Sequence, residues 1–332
     1  MKRSISILLL VIILISYGCG STQPTDKNQD SVSTIDLPQA VLVIHGGAGT
    51  IRREKMDSTT EAAYRTKLRE ALQAGYEILR EGGESCEAIL KTINVMENSP
   101  LFNAGVGAVF TAEGTNELDA SIMRGKDRNA GAVAGVTTVK NPILAAYEVM
   151  IHSPHVMLSG SGADQFAQDR GLKQVDPDYF KTDRRFKQLQ QAKKEYGTVG
   201  AIALDQNGNL CAGTSTGGMT NKKWGRIGDS PVIGAGTYAD NTTCGVSSTG
   251  HGEYFIRGIA AYDVAAKMKY QNKNIDEAAW EVINELDSMG GSGGLVALDK
   301  DGNVSMPFSS EGMYRGYITE EGETVIRIFK DM

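Results

Sequence analysis

The residues with the clearest chemical potential lie in the second half of the chain. Gly213-Thr-Ser215-Thr-Gly217 has the spacing of a nucleophile elbow, and His45-Gly46-Gly47, Asp229, Asp240 and His251 supply the other parts of a serine hydrolase. An elbow needs a helix directly after its serine, however, and Gly217-Gly-Met-Thr-Asn-Lys-Lys-Trp-Gly225 is a poor helix former. Gly234-Ala-Gly236 lacks the third glycine of a dinucleotide fingerprint. A more specific string is Tyr196-Gly197-Thr198-Val-Gly200-Ala-Ile-Ala-Leu-Asp205, in which a threonine directly after a glycine opens an apolar strand in mid-chain. Taken alone it has a plain structural explanation, because glycine ends helices and β-branched residues favour strands.

Other reactive residue types are scattered. With Cys19 set aside, Cys86, Cys211 and Cys244 are far apart and define no disulfide framework or CxxC metal site. His152-Ser-Pro-His155 has no third ligand nearby and reads as loop or capping histidines rather than zinc ligands. The chain has 332 residues and a formal net charge of -6, ample for a large core and without the basic field that nucleic acid selects. Its 39 glycines follow no collagen period and imply many tight turns and close backbone approaches.

The elements that must position these residues follow from periodicity. Ala40 to His45 suits a buried strand running into a tight loop at Gly46-Gly47. Thr59 to Leu79 is a helix closed by Gly82-Gly83, and Ser85 can cap the next one, through about Glu97. Phe110 to Ile122 and Ala130 to Thr138 are short strand-like pieces. Asn141-Pro142 places a capping side chain before a helix ending near His152, followed by helical stretches at Ala163 to Arg170 and Arg184 to Tyr196. After Gly197 two hairpins repeat one pattern: Thr198 to Leu204 with Leu210 to Ser215, and Gly294 to Leu298 with Val304 to Phe308. Glu253 to Tyr270 and Ile275 to Met289 between them are amphipathic helices. Strands, helices and strands again predict an α+β layered fold, with helices covering sheets.

The N-terminus reads as an address. Lys2 and Arg3 precede the apolar run Ile5 to Ile15, too short to span a bilayer, so residues 1–18 are expected to be a signal peptide and the protein exported to the bacterial periplasm or its membranes. Ser16-Tyr-Gly-Cys19 resembles a lipoprotein cleavage box with Cys19 as the lipidated residue, although Ser16 stands where leucine is usual. Residues 19–38 have the polar composition of a tether, and the membrane is reached only through that lipid anchor.

What changes the weight of Gly197-Thr198 is the company it keeps: Thr214-Ser-Thr216-Gly-Gly218-Met-Thr-Asn-Lys222, Gly225-Arg226-Ile-Gly228-Asp229-Ser-Pro231 and Ser248-Thr249-Gly250-His-Gly252-Glu253. With His45-Gly-Gly-Ala-Gly49, Ser99-Pro-Leu-Phe-Asn103-Ala-Gly105-Val-Gly107, Glu117-Leu-Asp-Ala-Ser121-Ile-Met123, Ser153-Pro-His-Val-Met157, Gly290-Gly-Ser-Gly-Gly294 and Glu311-Gly-Met-Tyr314, the sequence resembles the isoaspartyl peptidase/type 2 L-asparaginase family of N-terminal nucleophile hydrolases. The resemblance spans nearly the whole mature chain. It implies a four-layer αββα sandwich that cuts itself at Gly197-Thr198 into an α subunit, 39–197, and a β subunit, 198–332, which pair as a dimer of heterodimers.

The same resemblance implies the roles. An internal threonine has no adjacent amine to take its proton. Cleavage gives Thr198 an α-amine with an ordinary pKa of about 7.7 to 8.0, which can serve as base for its own hydroxyl. Thr216 matches the hydroxyl beside the nucleophile, and Thr249 with the Gly250 N–H matches the oxyanion hole. Arg226 matches the clamp on a substrate α-carboxylate, while Asp229 and the Gly252 carbonyl match the receptor for the α-ammonium. The expected reaction is hydrolysis of β-aspartyl dipeptides and asparagine, without a cofactor for the chemistry. The backbone carbonyls of Met96, Glu97, Ser99, Phe102, Ala104 and Val106 match a structural sodium loop.

Two departures from the family pattern stand out. Arg184 to Tyr196 leads almost directly to the scissile bond, where many relatives have a longer linker, and this bears on the rate of self-cleavage. His251 occupies a position where relatives often carry a small or hydroxyl residue, which bears on substrate choice. The competing readings are a glycosylasparaginase with a sugar leaving group, disfavoured by Gly197 where that branch typically has aspartate, and an uncleaved, noncatalytic amino-acid-binding lipoprotein using Arg226 and Asp229.

Overall fold

The computed structural model describes residues 41–191 and 197–330. The expected signal peptide, the tether with Cys19 and the end of the Arg184 to Tyr196 stretch lie outside them. No helix among the described residues is long and apolar enough to cross a membrane.

An eight-stranded sheet lies at the centre, built from β1 (Leu42–Gly49), β2 (Leu118–Arg124), β3 (Ala130–Val136), β4 (Met157–Ser159), β5 (Val199–Leu204), β6 (Leu210–Thr216), β11 (Gly312–Ile318) and β12 (Thr324–Phe329), in the order β12-β11-β1-β5-β6-β2-β3-β4. A four-stranded sheet of β7 (Thr237–Ala239), β8 (Cys244–Gly250), β9 (Gly293–Asp299) and β10 (Val304–Ser305), in the order β10-β9-β8-β7, faces it. Helices α1 (Ser58–Arg80), α2 (Ser85–Glu97) and α3 (Pro142–His152) cover the outer face of the large sheet. Helices α7 (Ala260–Gln271) and α8 (Ile275–Ser288) cover the small one. The four layers are those of the αββα sandwich.

Strand parity explains how the layers form. Val199, Ala201 and Ala203 of β5 join the core under the helices, while Ile202 joins the core shared with the small sheet. On β6, Cys211 faces the helices and Ala212 faces the small sheet. Period-2 alternation therefore directs Thr214 and Thr216, and Thr198 just ahead of β5, into the space between the sheets. The pairing Val199↔Ser215 sets Thr198 opposite Thr216.

Several expectations are corrected. β1 does not stop at a loop: it continues through Gly46-Gly47 to Gly49, with a bulge between His45 and Gly47 against β11. The strand within Phe110 to Ile122 begins only at Leu118. Ser85 and Asn141 do not cap their helices with their side chains; Ser85 is the first residue of α2 behind Glu84, and the Asn141 amide reaches Glu97 and Asn98 instead. The stretch Glu253 to Tyr270 is two helices, α6 (Gly252–Gly258) and α7, because Ile259 takes a left-handed conformation with φ 49° that closes the first. The two hairpins are present, one in each sheet, though β10 is only two residues long. Helix α4 (Gly160–Asp169) starts before Ala163, and α5 (Asp183–Gln190) occupies the front of the stretch leading to Gly197. Cys86 and Cys211, which spacing alone left unpaired, form a disulfide with Cα atoms 5.3 Å apart.

Candidate active site

Thr198 is buried, 5% exposed, at the head of β5. Its hydroxyl donates to Thr216 Oγ1 at 3.2 Å, and Thr216 in turn donates to the Gly197 carbonyl at 3.0 Å. The Gly218 N–H donates to the same Thr216 oxygen at 3.0 Å, fixing that hydroxyl from the far side. Asn103 Nδ2 also donates to the Gly197 carbonyl, at 2.7 Å, and to the Gly218 carbonyl at 2.7 Å, while its Oδ1 accepts from the Val109 N–H. The carbonyl preceding the threonine is thus polarised by two fixed donors, and the threonine hydroxyl has an oxygen beside it to receive its proton. Asn103 was not singled out from sequence. An amide side chain carries no reactivity of its own, and only the fold brings residue 103 to residue 197.

The other assigned residues gather at the same end of the sheets. Thr249 is fully buried near the end of β8 and accepts from the Ala48 N–H at 3.2 Å, leaving the hydroxyl proton to donate. Ala48 follows Gly47, whose φ is 112° and where a Cβ would meet Gly197 Cα at 3.2 Å and Thr198 N at 3.3 Å. Gly250 closes β8 and lines a cleft of about 820 Å³ together with Gly47, Asn103, Gly197, His251 and Tyr314. Arg184, Arg185 and Gln188 of α5 line its other wall, and Arg185 is tied to the Gly107 carbonyl. The cleft reaches the bond at Gly197, whereas Arg226 and Asp229 do not border it.

Arg226, Asp229 and Gly252 do meet. A Cβ on Gly252 would lie 2.7 Å from Asp229 Oδ1 and 2.8 Å from Arg226 Nη2. Glu253, which sequence reasoning passed over, takes one edge of the guanidinium with two hydrogen bonds of 2.9 Å, from Nε and Nη2. That pair does not use Nη1, the nitrogen through which a guanidinium can take a second carboxylate. Asp229 is 4% exposed and its Oδ2 has no hydrogen-bond partner among the described residues. Burial pushes its carboxyl up to about 7, against the opposing pull of hydrogen bonding and Arg226, with Glu253 and Asp119 adding to the rise. A buried, unpartnered acid oxygen beside a guanidinium can accept from an ammonium that lies next to a carboxylate.

The serine-hydrolase alternative fails on geometry. Ser215 lies inside β6, fully buried, with its hydroxyl donated to Glu97 at 2.6 Å. His251 packs edge-on against Tyr254 with ring centroids 4.7 Å apart, and its Nε2 is 3.5 Å from Glu253. Among the described residues no group of three or more His, Cys, Asp or Glu could hold a metal. The carbonyl loop from Met96 to Val106 is a different case. A Cβ at Gly105 would lie 2.1 Å from the Glu97 carbonyl oxygen, and one at Gly107 would lie 2.1 Å from that of Phe102. The loop is wrapped on neutral oxygens in a way only glycine permits, and neutral oxygens fit a hard cation. Met96 O and Ala104 O already accept from the Ser99 and Gly107 N–H groups, each with a second lone pair to offer.

A threonine at the head of a central strand of an αββα sandwich, with its preceding carbonyl held by two donors, defines the class as an N-terminal nucleophile hydrolase acting on amides. Comparison with known proteins agrees. A family model described as asparaginase matches residues 38–196 and 191–328. The isoaspartyl peptidase of Escherichia coli (strain K12) is 48% identical over 318 residues, covering 87% of this chain and 99% of that protein. The isoaspartyl peptidase/L-asparaginase of Homo sapiens is 40% identical over 286 residues, covering 82% and 91%. The chain belongs to the isoaspartyl peptidase/L-asparaginase family.

Proposed function

We propose that this protein is a self-activating threonine hydrolase of β-aspartyl dipeptides and L-asparagine. The observation that carries the reading is the relay from the Thr198 hydroxyl through Thr216 to a Gly197 carbonyl also held by Asn103. Thr198 Oγ attacks that carbonyl carbon, and its proton leaves by way of Thr216. The C–N bond breaks, the nitrogen takes a proton to become the Thr198 α-amine, and water hydrolyses the Gly197 ester.

In the matured enzyme the α-amine removes the proton from Thr198 Oγ, which attacks the side-chain carbonyl of the substrate. Thr249 and the Gly250 N–H stabilise the oxyanion, a donor of this kind being worth about 2.7 to 4 kcal/mol. The leaving amine takes the proton from the α-ammonium, and water then frees aspartate from the ester. Arg226 holds the α-carboxylate while Asp229 and the Gly252 carbonyl hold the α-ammonium. This selects a free amino-acid head, and the activities for which the relatives are named support the choice.

Sodium is the cation proposed for the Met96 to Val106 loop, where it would supply rigidity to the segment carrying Asn103. Pairing as a dimer of heterodimers, export and lipidation of Cys19 belong to the same reading; an oxidised Cys86–Cys211 pair suits a compartment outside the cytosol. Intact mass of the reduced protein tests the activation: two fragments are expected, the second beginning at Thr198, and Thr198→Ala leaves one chain without turnover. A persistently single wild-type chain that hydrolyses isoaspartyl dipeptides overturns the mechanism. Parallel assay of an isoaspartyl dipeptide, asparagine and a glycosylated asparagine fixes the leaving group.

A further inference from the structure

The backbone of β1 stops pairing with β5 at His45↔Gly200, so the Thr198 carbonyl lies past the last rung. The imidazole of His45 supplies a partner there: Nδ1 is 3.1 Å from Thr198 O, and the ring is fully buried. A carbonyl only accepts, so Nδ1 carries the proton. Burial pushes the ring down to about 3, so it is neutral near pH 7 and its Nε2 must accept. The group offering a proton there is Ser247 Oγ at 2.9 Å.

The remaining proton directions follow. With the Ser247 proton committed to Nε2, the 2.7 Å contact between Ser247 and Thr214 needs the Thr214 proton, and the 2.5 Å contact between Thr214 and Thr237 needs that of Thr237. Ser121 ends the row, its one proton shared between the Ser230 carbonyl at 2.6 Å and Thr237 at 2.8 Å. These hydroxyls alternate between the two sheets and are all fully buried, so no water reorients them. Gly200 makes the junction possible, since a Cβ there would lie 1.9 Å from Ser247 Oγ and 2.3 Å from His45 Nε2.

We infer that His45 is a positioning residue for Thr198, its Nδ1–H holding the Thr198 carbonyl in the matured enzyme while Ser247 donates to its Nε2. The inference rests on Thr198 being the nucleophile. Cleavage removes the covalent link to Gly197, and the α-amine can then turn about the Cα–C bond of its own residue. Fixing the Thr198–Val199 peptide plane through its carbonyl, with the hydroxyl fixed at Thr216, leaves that torsion one setting. The amine, whose distance from Oγ is set by the side-chain torsion that the Thr216 contact holds, then keeps one direction relative to the bound substrate.

Two amide replacements separate the ends of the ring. His45→Asn puts an NH2 near the Nδ1 position, and His45→Gln puts one near Nε2. Matured fractions, verified by intact mass, are assayed on an isoaspartyl dipeptide. The Gln variant is expected to lose at least about tenfold in kcat with KM nearly unchanged, while the Asn variant recovers to within about threefold of wild type. Equal losses in the two, no loss in either, or a loss confined to KM overturns the inference. Nitrogen-15 NMR of ring-labelled wild-type protein at neutral pH reads the tautomer without any variant: protonated Nδ1 with bare Nε2 is expected, and the opposite tautomer overturns it. An inactive, uncleaved wild type would instead remove the proposed function, leaving the NMR result to stand by itself.

Discussion

Cys86 on α2 is disulfide-bonded to Cys211 on β6, 125 residues away in sequence, and the Gly197-Thr198 bond lies between them. The link would therefore join the two fragments of the proposed self-cleavage. It closes a long loop in the uncut chain, worth about 5 kcal/mol by chain-entropy arguments. Once the chain is cut, it keeps the fragments from diluting apart. Matured protein is expected to run as one species on a denaturing gel without reductant and as two with it. Cys86→Ser should give two bands under both conditions; a pair of bands from unreduced wild type would mean the disulfide does not form.

Asn103 is expected to govern activation more than turnover. Removing its 2.7 Å donor from the Gly197 carbonyl in Asn103→Ala should slow self-cleavage by about 10²- to 10³-fold, the usual effect of deleting one oxyanion donor. A time course of intact mass after rapid purification measures this. Cleavage at the wild-type rate would show that the contact does not polarise the carbonyl.

Asp229 gives a pH dependence whose sign is fixed by burial. Its carboxyl is raised to about 7, and the substrate ammonium requires the ionised form, so KM should fall as pH rises through about 7. Bound ammonium favours the anion, so kcat should not follow that ionisation. Asp229→Asn should raise KM at least about 30-fold, equivalent to about 2 kcal/mol, and flatten its pH profile. Without substrate the sign reverses. A raised folded-state pKa contributes stability that is fully present below the ordinary carboxylate range and is lost as pH climbs through about 7. Thermal unfolding should therefore find Asp229→Asn more stable than wild type at pH 8, with the difference shrinking steadily as pH falls toward about 4.

Gly200 should tolerate no side chain. An added methyl at 1.9 Å from Ser247 Oγ has rigid strands on both sides, so Gly200→Ala should cost at least about 1 to 3 kcal/mol, with a lower Tm and incomplete cleavage. A wild-type Tm together with full cleavage would mean the sheets can part there at little cost.

The sequence by itself determined the α+β class with helices covering sheets and the two hairpins, and its resemblance to the family pointed to the residues proposed for the nucleophile and substrate head. Those depend on local periodicity and on strings such as Gly197-Thr198 and Gly225-Arg226-Ile-Gly228-Asp229, which are contiguous in the chain. It left out β11 and β12, the break at Ile259, and the partners that reach the site across long separations: Asn103 on Gly197, Glu253 on Arg226, His45 on Thr198 and Cys86 on Cys211. Neither an amide, a carboxylate, an imidazole nor a thiol states its partner in its own neighbourhood. Which pairs meet is decided by strand register and by how closely the two sheets stack, and both are properties of the packed layers rather than of any stretch of chain.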